Sequence, residues 1–112
     1  MSKNREERRR YKRFDLPCPI DVCDGEGNVL TSTRAANVSD GGVFLPVPVQ
    51  AAPPLGSKLQ INFRVPRSTP NTYMLEEFSS SARVARHQPL VDNSAAGVAL
   101  QFARPIRLQL EV

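Results

Sequence analysis

Two short stretches of this 112-residue chain carry residue types able to do chemistry with an anion. The first is the run Arg8-Arg9-Arg10-Tyr11-Lys12-Arg13. Arginine presents a planar fork of N–H donors that meets phosphate oxygens two at a time, and its flat face stacks on rings. Arg9 and Arg13 have three residues between them, Arg8 and Arg10 flank the pattern, and Tyr11 lies within it. Such a cluster suits a ligand with both phosphates and purine faces. The second stretch is Asn37-Val38-Ser39-Asp40-Gly41-Gly42. Asn37 and Ser39 can each fold back onto nearby backbone amides and pin a turn. Held so, the Asn37 amide oxygen can meet a guanine edge, and the Ser39 hydroxyl a phosphate or a base. Gly41 and Gly42 remove side chains where a ligand must approach the backbone closely. Each stretch has a plainer explanation as well: a basic N-terminus can be a solvated tail, and a polar turn can be no more than a hairpin connection.

No other constellation competes with these. His87 is the one histidine and has no nucleophile motif near it in sequence, so a solvent-facing strand position is expected. Glu76 and Glu77 are adjacent, and adjacent strand residues point to opposite faces, which argues against a paired acid–base role. Cys18 and Cys23 are five apart, an odd spacing that sends them to opposite faces of a strand. We therefore expect two reduced thiols, neither a disulfide nor a zinc site. Neither a Gly-rich phosphate loop nor a hydrolase elbow is present, and we expect a non-enzyme.

Charge is concentrated at one end. Residues 1–14 hold seven basic and two acidic residues, a net of +5, while the remainder holds eight basic and nine acidic, a net of −1; together these give the +4 of the whole chain. Proteins that coat nucleic acid carry a basic face across the fold itself. A basic arm on a near-neutral body points instead to a local anion site and argues against nucleic acid as the partner. No apolar run approaches the roughly 18 residues of a membrane span, and the charged N-terminus lacks the apolar segment of a secretory signal. A cytoplasmic protein is the expectation.

The elements that must position the two stretches are strands. Ten Pro and six Gly disfavour long helices. From Leu16 the apolar period is two, with Cys18, Ile20 and Val22 on one face and the prolines confining the strand's start to an edge. Asp24–Asn28 reads as a hairpin turn, Val29–Ala36 as the return, and Val43–Val47 as a third strand ended by Pro48. Lys58–Val65 gives the cleanest alternation, with Leu59, Ile61, Phe63 and Val65 inward. Residues 66–71 form a second hairpin loop, followed by Tyr73–Phe78 and Ser81–Arg86 with a bulge between them. After a turn at Asp92–Ser94, Gly97–Phe102 is the last strand; residues 106–112 fit either a helical turn or an edge strand. Six or so short strands suggest an antiparallel sandwich or barrel, and closure into a small barrel removes exposed edges. The expectation is one all-β domain: a mobile arm over residues 1–14 and a six-stranded antiparallel barrel over 15–112, with little or no C-terminal helix.

An Arg-x-x-x-Arg arm directly before a first strand, followed some 25 residues later by Asn-x-Ser-x-x-Gly after a hairpin, resembles the PilZ domain family. Here the match is Arg9 and Arg13, then Asn37, Ser39 and Gly42, with Gly42-Val43-Phe44-Leu45 opening the next strand. Ala82–Arg86 and Gly97–Phe102 are similar to that family's closing strands, so the resemblance spans roughly residues 8–103. It implies a bacterial β-barrel that binds the second messenger cyclic di-GMP, with the arm's arginines on phosphate and guanine and the turn residues reading guanine. By this resemblance the ligand residues are Arg9, Arg13, Asn37, Ser39 and Gly42, with Arg8, Arg10 and Gly41 beside them. No cofactor is implied. An unidentified downstream protein would sense the arm's ordering, from a monomer or weak dimer. Two departures stand out: Asn37 replaces the equally accepted Asp, removing a charge-assisted acceptor, and the usual C-terminal helix is absent or very short. The alternatives are a nucleic-acid-binding barrel gripping backbone phosphate with its arm, and a protein-interaction adaptor of the same fold.

Overall fold

The structure is a computed structural model that describes residues 11–90 and 95–109. Among the described residues seven strands run in chain order: β1 Pro19–Cys23, β2 Val29–Arg34, β3 Asn37–Ser39, β4 Gly42–Pro48, β5 Lys58–Ser68, β6 Tyr73–Pro89 and β7 Ala95–Phe102. All pairings are antiparallel, in the lateral order β2-β1-β5-β6-β7-β4-β3. A 3-10 turn covers Val49–Ala51, and the described residues contain no α-helix.

The sheet curls until its two outer strands meet in the chain itself. β2 and β3 are halves of one extended segment separated only by Ala35 and Ala36. The Ala35 N–H donates to the Cys18 carbonyl at 2.8 Å and the Ala36 N–H to the Phe44 carbonyl at 2.7 Å. The segment therefore hands its pairing from the β1 side to the β4 side, and neither edge is left long and bare.

Alternation places the core as expected. Leu59, Ile61, Phe63 and Val65 of β5 are buried, as are Val98, Leu100 and Phe102 of β7. Phe63 sits at the centre, its ring stacked 5.5 Å from Phe78 and 5.7 Å from Phe102. Cys18 and Cys23 are both free and buried; Cys18 belongs to the central cluster and Cys23 does not, in keeping with opposite faces. His87 is exposed, and its Nε2–H donates to the Pro53 carbonyl at 2.6 Å.

Four expectations are corrected in detail. The strand count is seven, because Asn37–Ser39 is itself a short strand pairing with Gly42–Phe44. Pro66 does not end β5, which continues to Ser68. Beyond Phe63 that strand has β6 on one side and no β1 partner on the other, so a missing N–H can face the open edge. β6 is one continuous 17-residue strand, and its register slips between Val84 and Arg86, nearer its end than expected. Finally, Phe14 at the end of the arm is already paired with the sheet: its N–H donates to the Val38 carbonyl at 2.8 Å and its carbonyl accepts the Val38 N–H at 2.9 Å. The turn expected at Asp92–Ser94 lies outside the described residues.

After β7 the described residues run on to Gln109 without helix and return to the turn after β3. The Ile106 N–H donates to the Asp40 carbonyl at 2.8 Å, and the Leu108 N–H donates to Asp40 Oδ1 at 3.0 Å. Arg67 holds the same segment from the other side, donating to the carbonyls of Leu108 and Gln109 and pairing with Glu76 at 2.9 Å. Between these clamps Leu108 is fully buried and plugs the core.

Candidate functional site

The turn that joins β3 to β4 is pinned by its own serine. The Gly41 N–H donates to Ser39 Oγ at 3.1 Å, and the Ser39 hydroxyl donates to the Gly42 carbonyl at 3.4 Å. The loop is only two residues long, with Ser39 opposite Gly42, so Asn37 and Ser39 fall on the same face of β3 with Val38 buried between them. Asp40 ties the turn down through the C-terminal segment, and the Gly41 carbonyl accepts the Phe102 N–H at 2.9 Å.

The Phe14–Val38 bridge then fixes where the arm can be. It sets Phe14 beside the middle residue of β3, and the residues just before it run along the turn. Tyr11, Arg13, Asn37, Ser39, Gly41 and Gly42 line one open groove of about 460 Å³ on the outer face of the barrel. Among the described residues the Asn37 carboxamide makes no hydrogen bond, so both its donor and its acceptor can serve a ligand. Lys12 lies over the Phe14 ring, 5.4 Å from its centroid. Arg8, Arg9 and Arg10 lie outside the described residues.

The two glycines are explained by protein contacts. A Cβ on Gly42 would come within 2.1 Å of the Leu100 carbonyl oxygen, because β4 and β7 cross closely there. A Cβ on Gly41 would come within 2.6 Å of Tyr11 Cδ2, because the tyrosine ring lies on that glycine. An added Cβ thus meets β7 backbone at one position and the arm at the other. The glycines still serve the groove, by letting its walls approach.

The groove also holds residues that sequence reasoning did not select: Phe44 of β4, Arg86 of β6, and Ala99 and Gln101 of β7. Phe44 stands between inward Val43 and Leu45, so an aromatic side chain at an outward position was the available signal. Arg86 gave none, because simple alternation from Ala82 and Val84 places it on the inward face. Among the described residues no group of three His, Cys, Asp or Glu side chains could hold a metal ion, and no helix is long and apolar enough to cross a membrane.

An outward groove with arginine on one wall and a serine-pinned Asn-x-Ser turn on another, on a curled seven-stranded sheet, has side chains suited to receiving a small anion. The chain belongs to the PilZ domain family, whose model matches residues 7–111. Solved structures agree on the fold. The inhibitor of motility MotI/DgrA from Bacillus subtilis matches with a TM-score of 0.69 at 18% identity, over 87% of this chain and 43% of that one. The PilZ domain of YcgR from Escherichia coli, solved with c-di-GMP, matches with a TM-score of 0.54 at 17% identity, over 86% of this chain and 78% of that one. This chain thus spans less than half the length of the MotI/DgrA chain. No curated protein matches it in sequence.

Proposed function

We propose that this protein is a receptor for cyclic di-GMP, which it binds in the groove between arm and turn, and that it acts by binding and not by catalysis. The observation carrying this is the convergence of Arg13, Asn37 and Ser39 on one groove in a PilZ chain whose arm also carries Arg9. Arg13 and Arg9 take the phosphates and stack on guanine, while Asn37 and Ser39 read its edge. That the YcgR PilZ domain was solved with c-di-GMP supports the choice of ligand.

Energetics favour an arm that is partly docked beforehand. Ordering eight free residues would cost about 8–16 kcal/mol in backbone freedom. Two charge-assisted arginine contacts return only about 1.5–3 kcal/mol each, and base stacking about 1–3 per base. Phe14 is bridged to Val38 and Tyr11 is seated on Gly41, so this part of the arm is docked without ligand. Each residue docked beforehand removes about 1–2 kcal/mol from that cost and brings it closer to what the contacts return. Arm ordering is also the signal we propose: it creates or hides a surface for a downstream protein.

Calorimetric titration with cyclic di-GMP tests the site. Arg9→Ala and Arg13→Ala are expected to abolish measurable binding while leaving the fold intact by circular dichroism. Wild-type affinity in both variants would refute the assignment. A grip on DNA or RNA backbone would instead show as a steep loss of affinity with salt, and GMP or GTP competing as well as cyclic di-GMP would refute the named ligand.

A further inference from the structure

We infer that Arg86, carried on the face of Phe44, is the far anchor of the groove and binds a phosphate or guanine of the ligand held at Arg13, Asn37 and Ser39. This rests on the function proposed above and assigns it a residue outside both sequence motifs.

The starting point is the register slip in β6. Ala82 and Val84 are buried, and strict alternation would turn Arg86 inward with them. Instead Val84 stands opposite Leu100 while Arg86 stands opposite Ala99, the very next residue of β7. The extra residue, Ala85, flips the strand's facing, so Arg86 emerges on the outer surface. Without the bulge a guanidinium would be driven into the core.

The registers of the neighbouring strands show what Arg86 then faces. Asn37 is opposite Phe44, Phe44 is opposite Ala99, and Ala99 is opposite Arg86. These four residues form one transverse row across β3, β4, β7 and β6. At an inter-strand spacing of about 4.8 Å, Asn37 and Arg86 are separated by about 14 Å of sheet. The middle of the row is kept low. Ala99 is small, and the tip of the Phe44 ring occupies the space above Gly97, where a Cβ would come within 2.3 Å of Cζ. The result is a trough with a polar reader at one end and a cation at the other.

Arg86 is set up to receive an anion. Its guanidinium carbon lies 5.9 Å from the Phe44 ring centroid, so the ring face orients it without using its N–H donors. Among the described residues no carboxylate pairs with it. The adjacent row ends differently. Ser39, Gly42, Gln101 and Arg83 are likewise aligned, but Arg83 donates to Gln101 Oε1 at 3.0 Å and lines a separate hollow with Lys58. Two arginines three residues apart thus have different surroundings, and only Arg86 borders the groove.

The test is calorimetry of the full chain with cyclic di-GMP, with thermal melts of each variant. Arg86→Ala should weaken binding roughly 10- to 100-fold, the loss of one charge-assisted, stacked contact. Its melting temperature should not move, because the side chain is exposed. Arg86→Lys should recover little of the loss, since an ammonium has neither fork nor stacking face. Arg83→Ala should stay within about threefold of wild type, because its charge is equal but its side chain is engaged elsewhere. Wild-type affinity in Arg86→Ala, or an equal loss in Arg83→Ala, would overturn the inference while leaving the receptor function standing. A wild-type chain that fails to bind cyclic di-GMP would refute the receptor function itself, and this inference with it.

Discussion

Gly42 separates two explanations of the same motif residue, and replacing it with alanine decides between them. If the glycine keeps the backbone open for a ligand, Gly42→Ala should cost affinity and leave the empty fold alone. The geometry says otherwise. The new Cβ would lie 2.1 Å from the Leu100 carbonyl oxygen, where carbon–oxygen contacts normally settle near about 3.3 Å. Both partners are backbone in the middle of a curled sheet, so β4 and β7 must part by about an ångström. Gly42 is not among the glycines with positive φ, so strain in its own backbone adds nothing and the clash alone sets the cost. Overpacking of this kind costs about 1–3 kcal/mol. The ladder is also disturbed where Gly42 meets Gln101 and where the Gly41 carbonyl accepts the Phe102 N–H. Weakening two such bonds adds about 1–3 kcal/mol. At about 4–8 °C per kcal/mol for a domain of this size, the melting temperature should fall by about 10 °C or more. The assay is a thermal melt by circular dichroism without ligand. A melt within about 2 °C of wild type, accompanied by lost cyclic di-GMP binding, would refute the reasoning and return Gly42 to the ligand. Gly41→Ala is the internal control. The three atoms nearest its Cβ all belong to the Tyr11 ring, the closest at 2.6 Å, and a side chain yields more readily than sheet backbone. The melt should stay within about 2 °C while affinity drops, because the arm's docking is disturbed.

Three further outcomes follow from the packing and the titratable groups. Leu108→Ala removes the fully buried plug of the C-terminal segment and should cost about 2–5 kcal/mol in denaturant unfolding; a loss below about 1 kcal/mol would mean the segment is not part of the folded unit. Asp24 accepts hydrogen bonds from the Asn28 side chain and from the Asn28, Glu26 and Gly27 N–H groups, which hold its carboxyl below the usual value of 3.8. A depressed folded value means the hairpin contribution is present above that pH and lost as pH falls through it. Wild type should therefore lose more stability than Asp24→Asn between about pH 5 and about pH 2.5, and equal losses in acid melts would contradict this. Burial pushes the Cys18 thiol up, only partly offset by Arg67 nearby. Cys18 should therefore resist alkylation in the native protein at mildly basic pH and react on unfolding, as read by mass spectrometry, with Cys23 shielded by its burial alone; fast native labelling of Cys18 would contradict its burial.

Much of the scaffold was legible because a strand writes its orientation into alternate residues. Leu59, Ile61, Phe63 and Val65, and likewise Val98, Leu100 and Phe102, are buried as their period of two requires. The pinned turn was legible too, since a serine two residues before a glycine can reach that glycine's N–H whatever surrounds it. Local rules misled where a neighbour's absence or an extra residue changed the outcome. Pro66 looked like a stop, yet an open edge tolerates it. Arg86 followed a buried alternation until one extra residue reversed its face.

The sequence by itself determined the all-β class, the inward residues of the long strands, and the two motifs whose side chains suit phosphate and purine. Those are properties of residue type and short spacing. Only the tertiary structure decided that Phe14 pairs with Val38 and so brings Arg13 to the turn, that Gly42 answers to Leu100, and that Phe44 and Arg86 complete a row begun at Asn37. Each of these depends on which strand lies beside which and in what register, through contacts between residues up to about half the chain apart. Short-range pattern carries no record of such pairing, because register is set when the whole sheet curls and closes around its core.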